Sequence, residues 1–179
     1  MVRLRIGMLL ALATLLLAQP ALGAERAGRA RSVPASYQGR TIDLAQDWEG
    51  AQACMVRSST DIRCADSATE LEDGAAVAPV AAGSSTAQAS ACSSSYVRLY
   101  EHINFGGRLV MVGSTSGWFN LTWIGFNDAV SSWWNPTPCT AALAQDIWGG
   151  GTIYYMQGYS SSSWIGWFND EASAVYVQQ

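Results

Sequence analysis

The sequence predicts an all-β domain over residues 92–179, and three observations predict it. A stretch centred on Phe-Asn-Asp occurs twice, at Phe126-Asn127-Asp128 and at Phe168-Asn169-Asp170, each with Trp-Ile-Gly before it and a Ser three residues after the Asp. The two centres lie 42 residues apart, the signature of two tandem copies of one supersecondary unit. Short apolar runs separated by Gly- and Ser-rich turns point to a β-sandwich. No helical periodicity stands out after Cys92.

Taken in order, residues 1–23 read as a secretory signal peptide. Arg3 and Arg5 form its positive end, Ile6 to Leu17 its apolar stretch, and Ala21-Leu22-Gly23 its small cleavage residues. The apolar run is broken by Pro20 and is shorter than the roughly 20 residues a membrane span needs. The chain is therefore expected to be secreted, with no membrane span in the mature protein. Residues 24–40 are polar and Arg-rich, the composition of a disordered or pro-segment.

Residues 41–73 read as a small separate unit that needs a staple: Cys54-Met55-Val56 and Ile62-Arg63-Cys64 on either side of a polar turn predict a disulfide-closed hairpin. Ser67-Ala68-Thr69-Glu70 has the spacing of a capping box, so a short helix should run to about Asp73. Residues 74–91 are rich in Ala, Ser and Gly and read as a flexible linker. Four Cys in an exported chain imply two disulfides. Of the three pairings, Cys54–Cys64 and Cys92–Cys139 are favoured, because each pair falls within one compositional block. Loop-closure entropy assigns them about 3 and about 4 kcal/mol. A zinc site suits them poorly, given the spacing of Cys54 and Cys64 and the lack of a nearby His.

After Cys92, Tyr96 to Tyr100 alternates as a strand, Asn104-Phe105-Gly106-Gly107 is a tight turn, and Arg108 to Val112 is a buried strand. The second copy repeats the plan with Ala141 to Ala144, Trp148 to Gly151, and Thr152 to Met156. A net charge of −4 gives no basic footprint for nucleic acid.

These residues resemble the βγ-crystallin Greek-key motif. Tyr100, Phe105 and Gly107 match its aromatic corner, and Asn127-Asp128-x-x-Ser131-Ser132 matches its loop. The second copy keeps Gly151 and Asn169-Asp170-Glu171-Ala172-Ser173, but has Ala144 at the Tyr position and Ala174 at the last Ser. The resemblance implies two Greek keys packed as a β-sandwich. It also implies calcium, held between paired loops by Asp128, Ser131, Asp170, Glu171 and Ser173. Calcium is a hard cation that takes six to eight oxygen ligands, and this mixture of carboxylates and hydroxyls suits it. The same Asn, Asp and Ser residues also serve as turn caps. The segment Leu99 to Arg108, in an exported chain with disulfides, further resembles the bacterial metalloproteinase inhibitors built on one crystallin-like domain. That resemblance implies a secreted protease as partner; a cell-surface ligand is the other partner expected.

Catalytic patterns are poor. The sole histidine, His102, reads as a solvated turn residue, and no nucleophile elbow surrounds any Ser. Asp128 and Asp170 occupy equivalent repeat positions, which favours a structural or metal role over paired-acid hydrolysis. Most of the seven Trp after Cys92 are expected in the core or at the corners of the repeats. Trp133 and Trp134 are adjacent on a strand, so one must face outward, where it could bind a partner. Asn120-Leu121-Thr122 matches a glycosylation sequon.

Overall fold

The computed structural model describes residues 33–76, 95–113 and 115–178. Residues 1–23, read as a signal peptide, lie outside these residues, as do most of the 24–40 segment, most of the stretch read as a linker, and Cys92.

Chain order begins with strands β1 (Pro34–Tyr37), β2 (Arg40–Asp43), β3 (Ala53–Ser58) and β4 (Asp61–Ala65), followed by helix α1 (Ala68–Ala76). The first repeat contributes β5 (Val97–His102), β6 (Gly106–Val112), β7 (Phe119–Asn120) and β8 (Ser132–Asn135). The second contributes β9 (Ala141–Asp146), β10 (Gly150–Met156), β11 (Ser160–Ser162) and β12 (Ala174–Val177).

The two repeats exchange their third strands. One sheet runs β11-β8-β5-β6-β3-β4-β1-β2, the other β10-β9-β12-β7. Strand β7 leaves its own repeat to pair with β12, and β11 crosses the other way to pair with β8. This reciprocal crossing is the Greek-key sandwich that the repeat motif implied.

Two expectations for the N-terminal part are corrected. Residues 33–40 are not disordered. Val33, Ala35 and Tyr37 are buried, and β1 turns into β2 through Gln38 and Gly39, both at positive φ (48° and 77°), as a two-residue hairpin needs. The segment from 41 onward is also not a separate stapled unit. Strand β3 pairs in parallel with β6, from Ala53↔Leu109 to Val56↔Val112, and extends the crystallin-like sheet to eight strands. Composition marks a boundary here, but backbone pairing, a long-range property, crosses it.

The packing agrees. One core cluster runs from Val33, Ile42, Leu44 and Trp48 through Leu99, Val110, Ile124 and Phe126 to Phe168 and Val177. Helix α1 covers the outer face of the large sheet, placing Leu71 among Ala53, Met55, Leu109 and Met111. The helix starts as a capping motif should: the Glu70 amide donates to Ser67 Oγ at 3.4 Å, and Glu70 Oε2 accepts from the Asp66 amide at 3.3 Å. It runs three residues past the predicted end, into the stretch read as linker. On the sheet, Cys54 and Cys64 face each other across the β3–β4 ladder and are joined by a disulfide. Cys139 is also disulfide-bonded.

Candidate functional site

The two Asn-Asp-x-x-Ser loops meet face to face. Asp128 and Asp170 both take left-handed backbone conformations (φ 51° and 58°), which Asp tolerates better than most residues. Each Asp amide reaches the opposite loop: Asp128 N–H donates to Ala172 O at 2.9 Å, and Asp170 N–H to Val130 O at 3.1 Å. The side chains repeat the exchange. Ser131 Oγ donates to Asp170 Oδ1 at 2.9 Å, and Ser173 Oγ to Asp128 Oδ1 at 3.4 Å. Both serines are buried and both aspartates are exposed, so each hydroxyl holds a carboxylate at the rim of the sandwich. Asn127 and Asn169 donate from Nδ2 to the Oδ2 of the Asp that follows, at 2.6 and 2.7 Å.

The electrostatics of this rim are unbalanced. Partial burial raises the pKa of Asp128; the Ser173 hydrogen bond opposes that rise, and the nearby Glu171 and Asp170 carboxylates add to it. Glu171 turns toward Gln145, accepting from its Nε2 at 3.2 Å. Mutually repelling carboxylates beside hydroxyls and carbonyls fit a hard divalent cation. Among the described residues no group of three or more His, Cys, Asp or Glu side chains is placed to hold a metal, so most ligands of any ion here would be carbonyls, hydroxyls and water.

Tyr100 packs edge-on against Phe105 at 5.5 Å, forming the corner expected of the first repeat. Gly107 lies at φ 74°, and a Cβ there would approach the Glu101 and His102 side chains to 2.9 Å. Ser132 joins corner to loop: its Oγ donates to His102 O at 2.6 Å and accepts from the Phe105 amide at 3.0 Å. In the second repeat, where Ala174 and Ala144 stand, the hairpin is held differently. Asn120 Oδ1 accepts from the Trp148 amide at 2.8 Å. Asn120 is 1% exposed, so in the folded protein it is an anchor and not an accessible glycan acceptor. Sequence reading missed this role, because the hydrogen bond spans 28 residues, from the second hairpin's corner to strand β7, which only the Greek-key crossing brings there.

His102 is exposed at its hairpin. The adjacent Glu101 carboxylate is engaged by Arg108 at 2.7 and 3.0 Å. Of the Trp-Trp pair, Trp133 is buried and Trp134 points outward at 40% exposure, with the Arg98 guanidinium over its ring at 4.6 Å. Of the seven tryptophans expected mostly in the core or at corners, Trp134, Trp148, Trp164 and Trp167 are exposed. Turns and the 3-10 segments between strands carry three of them, and there the repeat pattern gives no burial.

Comparison with known proteins places part of this architecture. Residues 85–156 match the family model of peptidase inhibitor family I36. The I36 match takes in the first repeat and the β9–β10 hairpin, and stops before the second Asn-Asp loop. Among solved structures, the chain is similar to a βγ-crystallin domain from Clostridium beijerinckii (26% identity, 46% of this chain and 97% of that one, TM-score 0.41). It is also similar to a βγ-crystallin from Ciona intestinalis (28%, 46% and 99%, TM-score 0.40) and to the N-terminal domain of protein S (21%, 46% and 93%, TM-score 0.41). No curated protein matches.

Proposed function

We propose that the chain is an extracellular, non-enzymatic inhibitor of a peptidase. The observation that carries this reading is the I36 family match over residues 85–156. The signal-like N-terminus and the Cys54–Cys64 disulfide support an oxidising, exported setting. The geometry supports binding over catalysis: Glu101 is committed to Arg108 and His102 sits exposed beside it. The test is a titration of the full, disulfide-intact chain into secreted metalloproteinases, with serine proteinases alongside. Stoichiometric loss of hydrolysis is expected for at least one peptidase. Unchanged rates across the panel at excess protein would sink the reading.

A second reading rests on the loop pair. Asp128, Ser131, Asp170, Glu171 and Ser173 are proposed to take up calcium, supported by the reciprocal Ser–Asp bonds and the clustered negative charge. With few charged ligands per ion, affinity should fall in the roughly 10⁻⁴ to 10⁻³ M range of extracellular modules. Calorimetric titration of calcium into the full chain should show binding that Asp128→Ala and Asp170→Ala remove. Absence of heat, together with an unchanged melting temperature at millimolar calcium, reduces the loops to turn chemistry.

A further inference from the structure

The second folded hairpin departs from the first in a way that builds a cleft. At the position of Asn104 (φ 57°) the second repeat carries Trp148 (φ 61°), and at the position of Phe105 it carries Gly149 (φ 82°). Asn tolerates the left-handed region; a bulky aromatic there is strained. The strain is held by the Asn120 hydrogen bond to the Trp148 amide, and the indole it presents is 60% exposed. Gly149 serves a different end. A Cβ there would fall 2.1 Å from Trp118 Nε1, so the missing side chain is what admits Trp118. Trp123 packs edge-on against Trp148 at 5.2 Å.

Trp148, Trp118 and the buried Trp123 line a 590 Å³ cleft. The tip of the β3–β4 hairpin, with Arg57 and Ser59, and the 115–117 segment, with Ser116, line it as well. Its volume is that of a small-molecule or oligomer site. Its chemistry is mixed, aromatic rings together with hydroxyls, and among the described residues Arg57 is the one charged lining residue.

We infer that this cleft binds a neutral oligosaccharide. A sugar ring offers an apolar C–H face for stacking on an indole and a rim of hydroxyls for Ser and Arg. An apolar peptide side chain would leave the lining hydroxyls unused, and a polyanion would meet a chain of net charge −4. The inference does not depend on peptidase inhibition.

The test uses the full, disulfide-intact chain with cellohexaose, chitohexaose and laminarihexaose as probes, followed by tryptophan fluorescence. At least one hexaose should shift the emission saturably and protect it from acrylamide quenching. Trp148→Asn, which restores the residue type of the first repeat, should leave the melting temperature unchanged or raised. It should weaken binding by about tenfold or more, the loss of one stacked ring. Trp167→Ala, which removes an exposed ring outside the cleft, should bind as the parent does. The inference is overturned if none of the three sugars binds at millimolar concentration, if Trp148→Asn binds undiminished, or if a panel of neutral hexapeptides binds where the sugars do not.

Discussion

Ser131 Oγ and Asp170 Oδ1, 39 residues apart in sequence, are hydrogen-bonded at 2.9 Å across the interface of the two repeats. Ser173 and Asp128 form the mirror pair. Each repeat thus completes the loop of the other, and the loop pair reports on whether the two Greek keys are docked.

Asp128 should respond in opposite directions to mutation with and without calcium. Its folded pKa lies above the unfolded value, mainly through burial. The stabilising contribution of such a group is fully present below the unfolded pKa and is lost as pH rises through the folded pKa. At neutral pH the ionised carboxylate is therefore a liability in the metal-free protein. Asp128→Asn should raise the melting temperature slightly in chelator and flatten the fall in stability just above the ordinary Asp range. In millimolar calcium the same variant should lose any gain the parent shows, since ligand binding to the native state stabilises by linkage. Paired thermal melts in chelator and calcium measure both signs at once.

The N-terminal segment should be indispensable to the sandwich. Trp48 is buried, donates from Nε1 to Ile124 O at 2.8 Å and stacks on Phe126 at 5.8 Å. Arg108 lies over its ring at 4.7 Å while pairing with Glu101. Trp48→Ala should cost about 3–5 kcal/mol in urea denaturation, the range for removing a large core aromatic. A fragment restricted to residues 92–179 would bare the β6 edge, Leu109 and Met111, and should populate aggregated or loosely packed states. A well-folded monomeric fragment by amide NMR would contradict this.

How much of this was legible in the sequence follows from range. The repeat, the first two strands of each copy and the turn ending at Gly107 are local signals, and the structure places them as read. The Cys54–Cys64 bridge was legible because its hairpin is local. The parallel pairing of β3 with β6 was not: it joins strands more than 50 residues apart across a stretch whose composition reads as a linker. Likewise, Asn120 matched a short modification motif, while its burial and its bond to Trp148 depend on the strand exchange.

Glu101 should govern acid stability at the first hairpin. The Arg108 hydrogen bond is the main cause of its lowered pKa, partly offset by burial. For a depressed carboxylate, the stabilisation is present above the unfolded pKa and disappears as pH falls through the folded value. Glu101→Gln should therefore destabilise at neutral pH and converge on the parent below the ordinary Glu range. Unfolding midpoints measured from about pH 2 to 7 check it. Parallel parent and variant curves across that span would show that the pair carries no pH-linked stability.

Gly125 and Gly166 offer a matched comparison, because both follow a Trp-Ile pair and both lie in the left-handed region, at φ 60° and 62°. They differ in their surroundings. A Cβ at Gly125 would meet Leu44 O at 2.4 Å, while nothing lies within 4 Å of one at Gly166. Gly166→Ala should therefore cost only the backbone term, about 1–2 kcal/mol for an L-residue in this region. Gly125→Ala carries the same term and in addition must push the Leu44 backbone aside. That displacement strains the contact through which Trp48 reaches Ile124, so its cost should exceed that of Gly166→Ala by a further kcal/mol or so, on the order of a disrupted buried hydrogen bond. Hydrogen exchange should show where the energy goes: in Gly125→Ala, protection should fall in Val33 to Trp48 as well as in the mutated turn, whereas in Gly166→Ala it should fall only around the second loop. Equal costs and equal exchange patterns would mean that the N-terminal strands are not clasped by the first repeat at this point.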